Sequence, residues 1–261
     1  MKIGFDTRNF VARASRYDGI PDLAHHEAET QRRFSIPSMS NWLDMVADIG
    51  FDGLSVWTSH CWYPTASRQQ IEAIRDLGAG VGLPIYALNG RLGEPNPNQR
   101  LAWERTVAAG TTLGAELLVG QPDAVGRGFL GSLARSKRFV AYRTCLEEKS
   151  ILDMAARIDR SESWMGLSLD VGIATLYRID VPEAIRVLRK NLVEIYLRDL
   201  RGSELGSVAL GDGDIDLKGI IGSLRAIGYE GWLTVGHTPY DRDPLPEIET
   251  SVQRLQDLLG I

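Results

Sequence analysis

Two cysteines in 261 residues leave little from which to build a disulfide framework or a thiolate metal site. Cys61 and Cys145 lie far apart, in neither metal-ligand nor redox spacing, so the sequence predicts free thiols in a reducing compartment, packed as small hydrophobes. Long apolar runs are missing as well: nothing approaches the roughly 18 uninterrupted apolar residues of a membrane span. The opening MKIGFDTRNF is interrupted at once by Asp6 and Arg8, which is a strand pattern and not a secretory leader. The expectation is a cytoplasmic protein with no membrane partner. Basic excess is also lacking. The formal net charge is -5, whereas a general nucleic-acid binder needs a basic face to neutralise phosphates. The expected partner is therefore a small-molecule substrate and not nucleic acid, and a homodimer is compatible with the composition. No low-complexity tract, linker or internal repeat divides the chain, so residues 1-261 are expected to form a single domain.

What is present is an alternation of short apolar runs with longer amphipathic ones. Eight runs have strand character: KIGFD, FDGLSVW, LPIYALN, AELLVG, RFVAYR, MGLSLD, LVEIYLRD and GWLTV. Helical periodicity follows most of them, as in SNWLDMVADIG, SRQQIEAIRDLGAG, NQRLAWERTVAAGTTLG, EEKSILDMAARID, VPEAIRVLRK, DLKGIIGSLRAIG and LPEIETSVQRLQDLLG. Eight such units in a chain of this length predict one closed (β/α)8 TIM barrel. Two connections depart from the pattern. Residues 9-38, rich in charge and histidine, are far longer than a usual loop and are expected to be a lid. After the fourth strand, QPDAVGRGFLGSLARSK leaves room only for a short or irregular helix.

Barrel enzymes draw their working groups from the carboxyl ends of the strands. That rule selects Asp6 and Arg8, His60, Asn89, Gln121, Arg143, Asp170, Arg198 with Asp199, and His237. Residues two apart share a face, which groups Gly4, Asp6 and Arg8; Ser168 and Asp170; and Glu194, Tyr196 and Arg198. Around His60, the aromatic stretch WTSHCWYP, with Trp57, is either an apolar wall for a ring-shaped ligand or packing at the barrel top. Several strand-end arginines point to an anionic substrate such as a carboxylate or phosphate.

The second half, GLSLDVGIATLYRIDVPEAIRVLRKNLVEIYLRDLRG and then VALGDGDIDLKGIIGSLRAIGYEGWLTV, resembles the sugar phosphate isomerase/epimerase family. These are the xylose-isomerase-like barrels, which also include endonuclease IV, dehydratases of keto-inositol and dehydroshikimate, and ketose 3-epimerases. Matching features are an aspartate after GL-L, the GxGxxD loop, and GY-GW leading into the last strand. The resemblance implies a xylose-isomerase-like barrel in which a glutamate, an aspartate, a histidine and a second glutamate hold a divalent metal. That metal polarises a carbonyl so that a carboxylate can move the neighbouring proton. Here the family's aspartate is Asp170. The seventh-strand histidine is Tyr196, the final glutamate falls on Gly236, the fifth-strand glutamate falls near Arg143, the histidine after the sixth strand is Ile173, and the second-strand glutamate is Ser55. One ligand does not make such a site, so no cofactor is expected and a divalent metal is disfavoured. A rebuilt site from Asp170, His60 and His237, with Asp6 as fourth ligand, is the weaker alternative. Alternation speaks against it, because His237 directly follows Gly236 and should face the other way.

Other motifs have plainer readings. GDGDIDLKG lacks the closing glutamate of a calcium loop and the GKS of a phosphate loop, so Asp214 or Asp216 is expected to cap the helix starting near Leu217. His25 and His26, beside Glu27, resemble half a metal motif without its second half, in a solvated loop or lid. The sequence leans towards an enzyme of the isomerase/epimerase kind, acting on a small polyhydroxylated, keto or cyclic acid by acid/base proton transfer. Asp170 with His60 or His237 would supply acid and base, Tyr196 or Arg143 would stabilise negative charge, and Asp6, Arg8, Trp57, Asn89, Gln121 and Arg198 would bind substrate. Two alternatives remain: a cofactor-independent lyase, dehydratase or condensing enzyme, and a non-catalytic ligand-binding or partner subunit.

Overall fold

The computed structural model describes residues 1–62, 64–93, 98–133, 139–144, 147–158, 163–203 and 206–261. Each of the eight apolar runs becomes a strand: β1 (Lys2–Asp6), β2 (Gly53–Trp57), β3 (Ile85–Asn89), β4 (Leu117–Gly120), β5 (Phe139–Arg143), β6 (Met165–Asp170), β7 (Leu192–Leu197) and, after a two-stranded ribbon of β8 (Asp199–Leu200) and β9 (Ser207–Val208), β10 (Trp232–Val235). The eight long strands pair in parallel around a closed barrel, with β10 closing the ring between β7 and β1. The helices are α1 (Leu23–Arg33), α2 (Ile36–Val46), α3 (Arg68–Gly80), α4 (Gln99–Leu113), α5 (Ala124–Leu133), α6 (Ile151–Ala156), α7 (Val171–Leu176), α8 (Val181–Leu188), α9 (Leu217–Ala226) and α10 (Leu245–Leu259). Among the described residues no helix is long and apolar enough to cross a membrane.

Period-two alternation sorts the strand residues. Ile3, Phe5, Leu54, Val56, Leu167, Leu169, Ile195, Leu197, Leu233 and Val235 pack outward into one large core against the helices. Tyr86, Ala87, Leu117, Val119, Ala141 and Trp232 form a smaller cluster inside the barrel, with the Tyr86 and Trp232 rings stacked at 3.7 Å. Tyr86 can cross the lumen because Gly4 has no side chain: a Cβ there would lie 2.2 Å from the Tyr86 hydroxyl.

Local chemistry sets the helix ends. Ser67 and Gln70 make a reciprocal capping box on α3, and Asn98 caps α4, which ends at left-handed Gly114. Of the two candidate aspartates, Asp216 caps α9, through Gly219 N at 2.9 Å. The surrounding glycine-rich loop wraps the buried Asp199 carboxylate, which accepts from Gly211 N, Gly213 N and Ile215 N. Asp199 is therefore a structural anchor.

The segment 9-38 is not a loop throughout. After a 3-10 turn over Thr7–Phe10 it folds into α1, capped by Asp22, and α2 starts at Ile36, ahead of the predicted SNWLDMVADIG. The period of α1 was hidden because its buried face is polar, made of His26, Glu27 and Thr30. Cys61 is a buried free thiol as expected; Cys145 and the end of SLARSK lie outside the described residues.

Candidate active site

A cavity of about 390 Å³ opens at the carboxyl end of the strands. Arg8, Arg91, Arg143 and Arg198 line it with the two carboxylates Glu27 and Asp170, and Trp57, Leu23, Leu92 and Ile173 give it an apolar wall. Gln121 and Thr144 complete the polar lining. A larger hollow of about 830 Å³ lies at the opposite end, around Lys2, Leu117, Val193 and Trp232. Barrel chemistry belongs to the carboxyl end, where the strand-end polar side chains converge.

Beneath the cavity floor, Tyr196 joins the charged groups. Its hydroxyl donates to Asp6 Oδ2 at 3.0 Å and accepts from Arg8 Nη2 at 3.0 Å, while the Arg143 guanidinium lies 4.0 Å from the ring centre. Burial, assisted by Asp6 and opposed by Arg8 and Arg143, pushes the Tyr196 hydroxyl up to about 12, so it serves as a neutral donor near pH 7. Asp6 is fully buried; Asn89 Nδ2 and Arg8 N donate to its Oδ1 at 3.1 and 2.9 Å. One layer lower, Glu194 accepts from Arg143 Nη2 at 3.0 Å, from Thr234 at 2.6 Å and from Ser168. Burial opposes the charge on Arg143, but Glu194, Tyr196 and Asp6 outweigh it, and the guanidinium is held above the ordinary arginine value. Asp6 and Glu194 thus balance Arg8 and Arg143 from below, as Glu27 and Asp170 balance Arg91 and Arg198 at the cavity face, so four guanidiniums meet four carboxylates.

Tyr196 also accounts for Gly236. A Cβ at 236 would fall 2.3 Å from both Cζ and the hydroxyl of Tyr196. The space beside the last strand is filled by the tyrosine ring, and no room is left there for a larger substrate or an inward histidine.

Asp170 stands at the end of β6 and caps α7. Its Oδ1 accepts from Ile173 N at 3.0 Å, its Oδ2 pairs with Arg198 Nη2 at 3.0 Å, and its own N–H donates to Thr144. Of the sequence-selected residues, Asp170, Arg8, Trp57, Gln121, Arg143 and Arg198 line the cavity, and Asp6, Asn89 and Tyr196 lie below it.

The two strand-end histidines are elsewhere. His60 is buried among Phe34, Trp42 and Trp57, with Nδ1 3.0 Å from Thr7 Oγ1 and Nε2 without a partner among the described residues. Burial drives its pKa down to about 3. His237 points to the outer face of β10, as alternation requires, with Nδ1 3.0 Å from Ser207 and Nε2 2.5 Å from Glu247. Burial lowers its pKa and Glu247 partly restores it.

Asp170, His60 and His237 are not gathered around any point: among the described residues the one group of three or more His, Cys, Asp or Glu with ligand atoms close enough to share an ion is Asp18, His25 and His26. Nor do the family's metal positions fit a divalent ion. They carry a guanidinium at Arg143, a ring at Tyr196 that fills the space over Gly236, and at Asp170 a carboxylate already bonded through both oxygens.

Sequence reasoning missed Arg91, Glu27 and Thr144. Arg91 Nε pairs with Glu27 Oε2 at 3.0 Å across the cavity rim. Arg91 stands two residues past the end of β3, a position the strand-end rule could have reached; Glu27 was obscured by the polar period of α1.

Neither protein-family profiles nor curated protein sequences give a match to the chain. Solved structures do. The IolI protein with a bound zinc atom aligns over 100% of this chain and 98% of its own, at 14% identity and TM-score 0.72. The probable 3-DHS dehydratase AsbF of Bacillus anthracis aligns over 98% and 99%, at 11% identity and TM-score 0.68. The 3-keto-D-glucoside 4-epimerase YcjR of E. coli aligns over the full length of both chains, at 16% identity and TM-score 0.66. The chain also spans 44% of the length of a xylose isomerase-like TIM barrel/4-hydroxyphenylpyruvate dioxygenase fusion protein. With the closed barrel and the strand-end site already described, these likenesses give the chain the xylose isomerase-like (β/α)8 fold, in a divergent form.

Proposed function

We propose that the chain is an enzyme of the isomerase/epimerase kind, acting by proton transfer on a small polyhydroxylated, keto or cyclic acid, without a divalent ion at the family's metal position. The supporting observation is the cavity lining: four guanidiniums converge there with the carboxylates of Asp170 and Glu27, at the strand ends where barrel enzymes hold their reacting groups. An anionic group about 4 Å from one guanidinium near a protein surface gains roughly 4 kcal/mol, enough for Arg8, Arg143 and Arg198 to orient a substrate carboxylate or phosphate. The same groups stabilise the negative charge that develops on a carbonyl oxygen when the neighbouring proton leaves. Asp170 is the proton acceptor, and Glu27, on α1 across the cavity, is the second acid/base group. Neither histidine is within the cavity, so they are given no part in the chemistry. Tyr196 acts as a positioning residue for Arg8 and Arg143. The epimerase and dehydratase among the similar structures support proton transfer beside a carbonyl as the reaction class.

The alternative is a binding protein, and the specific observation for it is that both Asp170 oxygens are already bonded. Thermal-shift screening of sugar acids, keto acids and sugar phosphates, with and without chelator, is the first test. Anionic compounds are expected to stabilise the chain, and their neutral analogues are not. A stabilising ligand incubated in D2O should then acquire deuterium beside its carbonyl, unaffected by chelator, while Asp170→Asn binds the ligand and stops the exchange. Equal response to neutral sugars sinks the anion reading, and absence of exchange with retained binding supports the binder.

A further inference from the structure

We propose that Asp18, His25 and His26 form a binding site for a divalent transition-metal ion of the zinc or nickel class, separate from the barrel mouth, that clamps the turn at 16–20 onto α1. His25 and His26 are adjacent on the helix, where successive side chains normally diverge, but Asp18 is inserted between them. His25 Nε2 lies 2.9 Å from Asp18 Oδ2, and His26 Nε2 lies 3.9 Å from Asp18 Oδ1. Ligands about 2.0–2.1 Å from a tetrahedral ion stand roughly 3.3 Å from one another, a spacing these distances bracket. Asp18 and His25 are about one-third exposed and can adjust, whereas His26 is fully buried and fixed.

The hydrogen bonds around His26 are compatible with a metal-bound imidazole. Ser15 Oγ donates to Ala12 O at 3.0 Å, and it lies 2.7 Å from His26 Nδ1. With the hydroxyl proton directed to Ala12, Ser15 Oγ can accept from Nδ1–H, the tautomer that frees Nε2 to bind a metal ion. Nε2 then meets the Ile20 carbonyl oxygen at 2.7 Å and Asp18 at 3.9 Å, all of them electron-rich. A metal ion at Nε2 would be shared among these oxygens. Ser15 is thus the outer partner that orients the ring, as metal-ligating imidazoles require. Imidazole nitrogen with one carboxylate suits zinc, copper and nickel better than magnesium or calcium. Ile20 O or solvent can complete the coordination.

The consequence reaches the cavity. Glu27 follows His26 directly, Leu23 lies on the same turn of α1, and both line the mouth. His26 also stacks on Tyr240 at 4.5 Å, and Gly19 N donates to Tyr240 O at 3.0 Å, so an ion here ties α1 to the loop after β10.

The test uses chelator-stripped protein without an affinity tag, titrated with ZnCl2 and with CoCl2. One equivalent of zinc per chain is expected, with a rise in melting temperature, and cobalt should give the visible absorption of a tetrahedral site. Asp18→Asn and His25→Ala should abolish all three signals at unchanged circular dichroism, and Ser15→Ala should weaken binding about tenfold. Asp170→Asn should bind zinc like the parent. No uptake by the parent chain, or uptake indifferent to Asp18→Asn and His25→Ala, overturns the proposal. Loss of uptake in Asp170→Asn places the ion at the mouth and overturns it too.

Discussion

Gly236→Ala tests the arrangement of the barrel mouth most directly. The added methyl would lie 2.3 Å from Tyr196 Cζ and hydroxyl and 2.6 Å from Cε1, against ordinary carbon contacts of about 3.5–4.0 Å, so the ring must retreat by at least about 1 Å. It has nowhere to go cheaply. Its hydroxyl is bonded to Asp6 and Arg8, each at 3.0 Å, and its face lies against Arg143. Overpacking costs about 1–3 kcal/mol and loss of a hydrogen bond to the buried Asp6 carboxylate about 1–3 more, together about 2–6 kcal/mol. The assay is urea unfolding, read as a lower midpoint at unchanged slope. Gly222→Ala is the control, because Gly222 is exposed within α9 with nothing within 4 Å of its Cβ position; it should gain about 0.5–1 kcal/mol. In a Tyr196→Leu background, which deletes the three atoms nearest the new methyl, Gly236→Ala should cost little. A cost under about 0.5 kcal/mol in the parent, or an undiminished cost in the Tyr196→Leu background, refutes the claim that the tyrosine occupies this space.

His60, whose pKa burial holds down to about 3 from 6.5, makes stability fall in acid. The unfolded chain takes up a proton below its ordinary value that the folded chain refuses, so this contribution is full above about pH 6.5 and is lost at about 1.4 kcal/mol per pH unit below it; His60→Leu should flatten that slope in urea titrations. Cys61, its thiol pushed up to about 12 by burial, should resist Ellman's reagent in a folded Cys145→Ala variant and react fully once unfolded. Glu194→Gln keeps the shape but leaves the Arg143 guanidinium facing a neutral amide, and should cost about 3 kcal/mol in the same unfolding assay.

The strands were legible because burial on both faces makes them short, nearly continuous apolar runs, and the α9 cap was legible because Asp216 lies next to the helix it caps. Local signals end there. α1 buries His26, Glu27 and Thr30, so no apolar period marks it, and its lining residues Leu23 and Glu27 sit in a stretch with the composition of a loop. Alternation correctly turned His237 outward. It says nothing of His60, which follows β2 in a turn where no alternation applies. The replacement of a carboxylate by Gly236 was visible in the sequence. Its partner was not, because Tyr196 reaches Gly236 only through the pairing of β10 with β7, a contact between residues 40 positions apart.

That contact also explains why the mouth differs from a metal site as a unit. Tyr196 needs Gly236, since any side chain there collides with its ring. Arg8 needs Tyr196 and Asp6, which hold its guanidinium, and Arg143 needs Glu194 and the Tyr196 face. Restoring a glutamate at 236 would therefore displace the ring, release both arginines and strand Asp6, so no single substitution leads back towards the family's ligand set. A divalent ion would place two positive charges at one point with open coordination positions. Two guanidiniums place the same charge in fixed planes, with their hydrogen-bond donors aimed by the buried network. The substrate we propose is accordingly one that brings its own planar anion, a carboxylate or an enolate, in place of a neutral sugar that needs a metal to polarise its carbonyl.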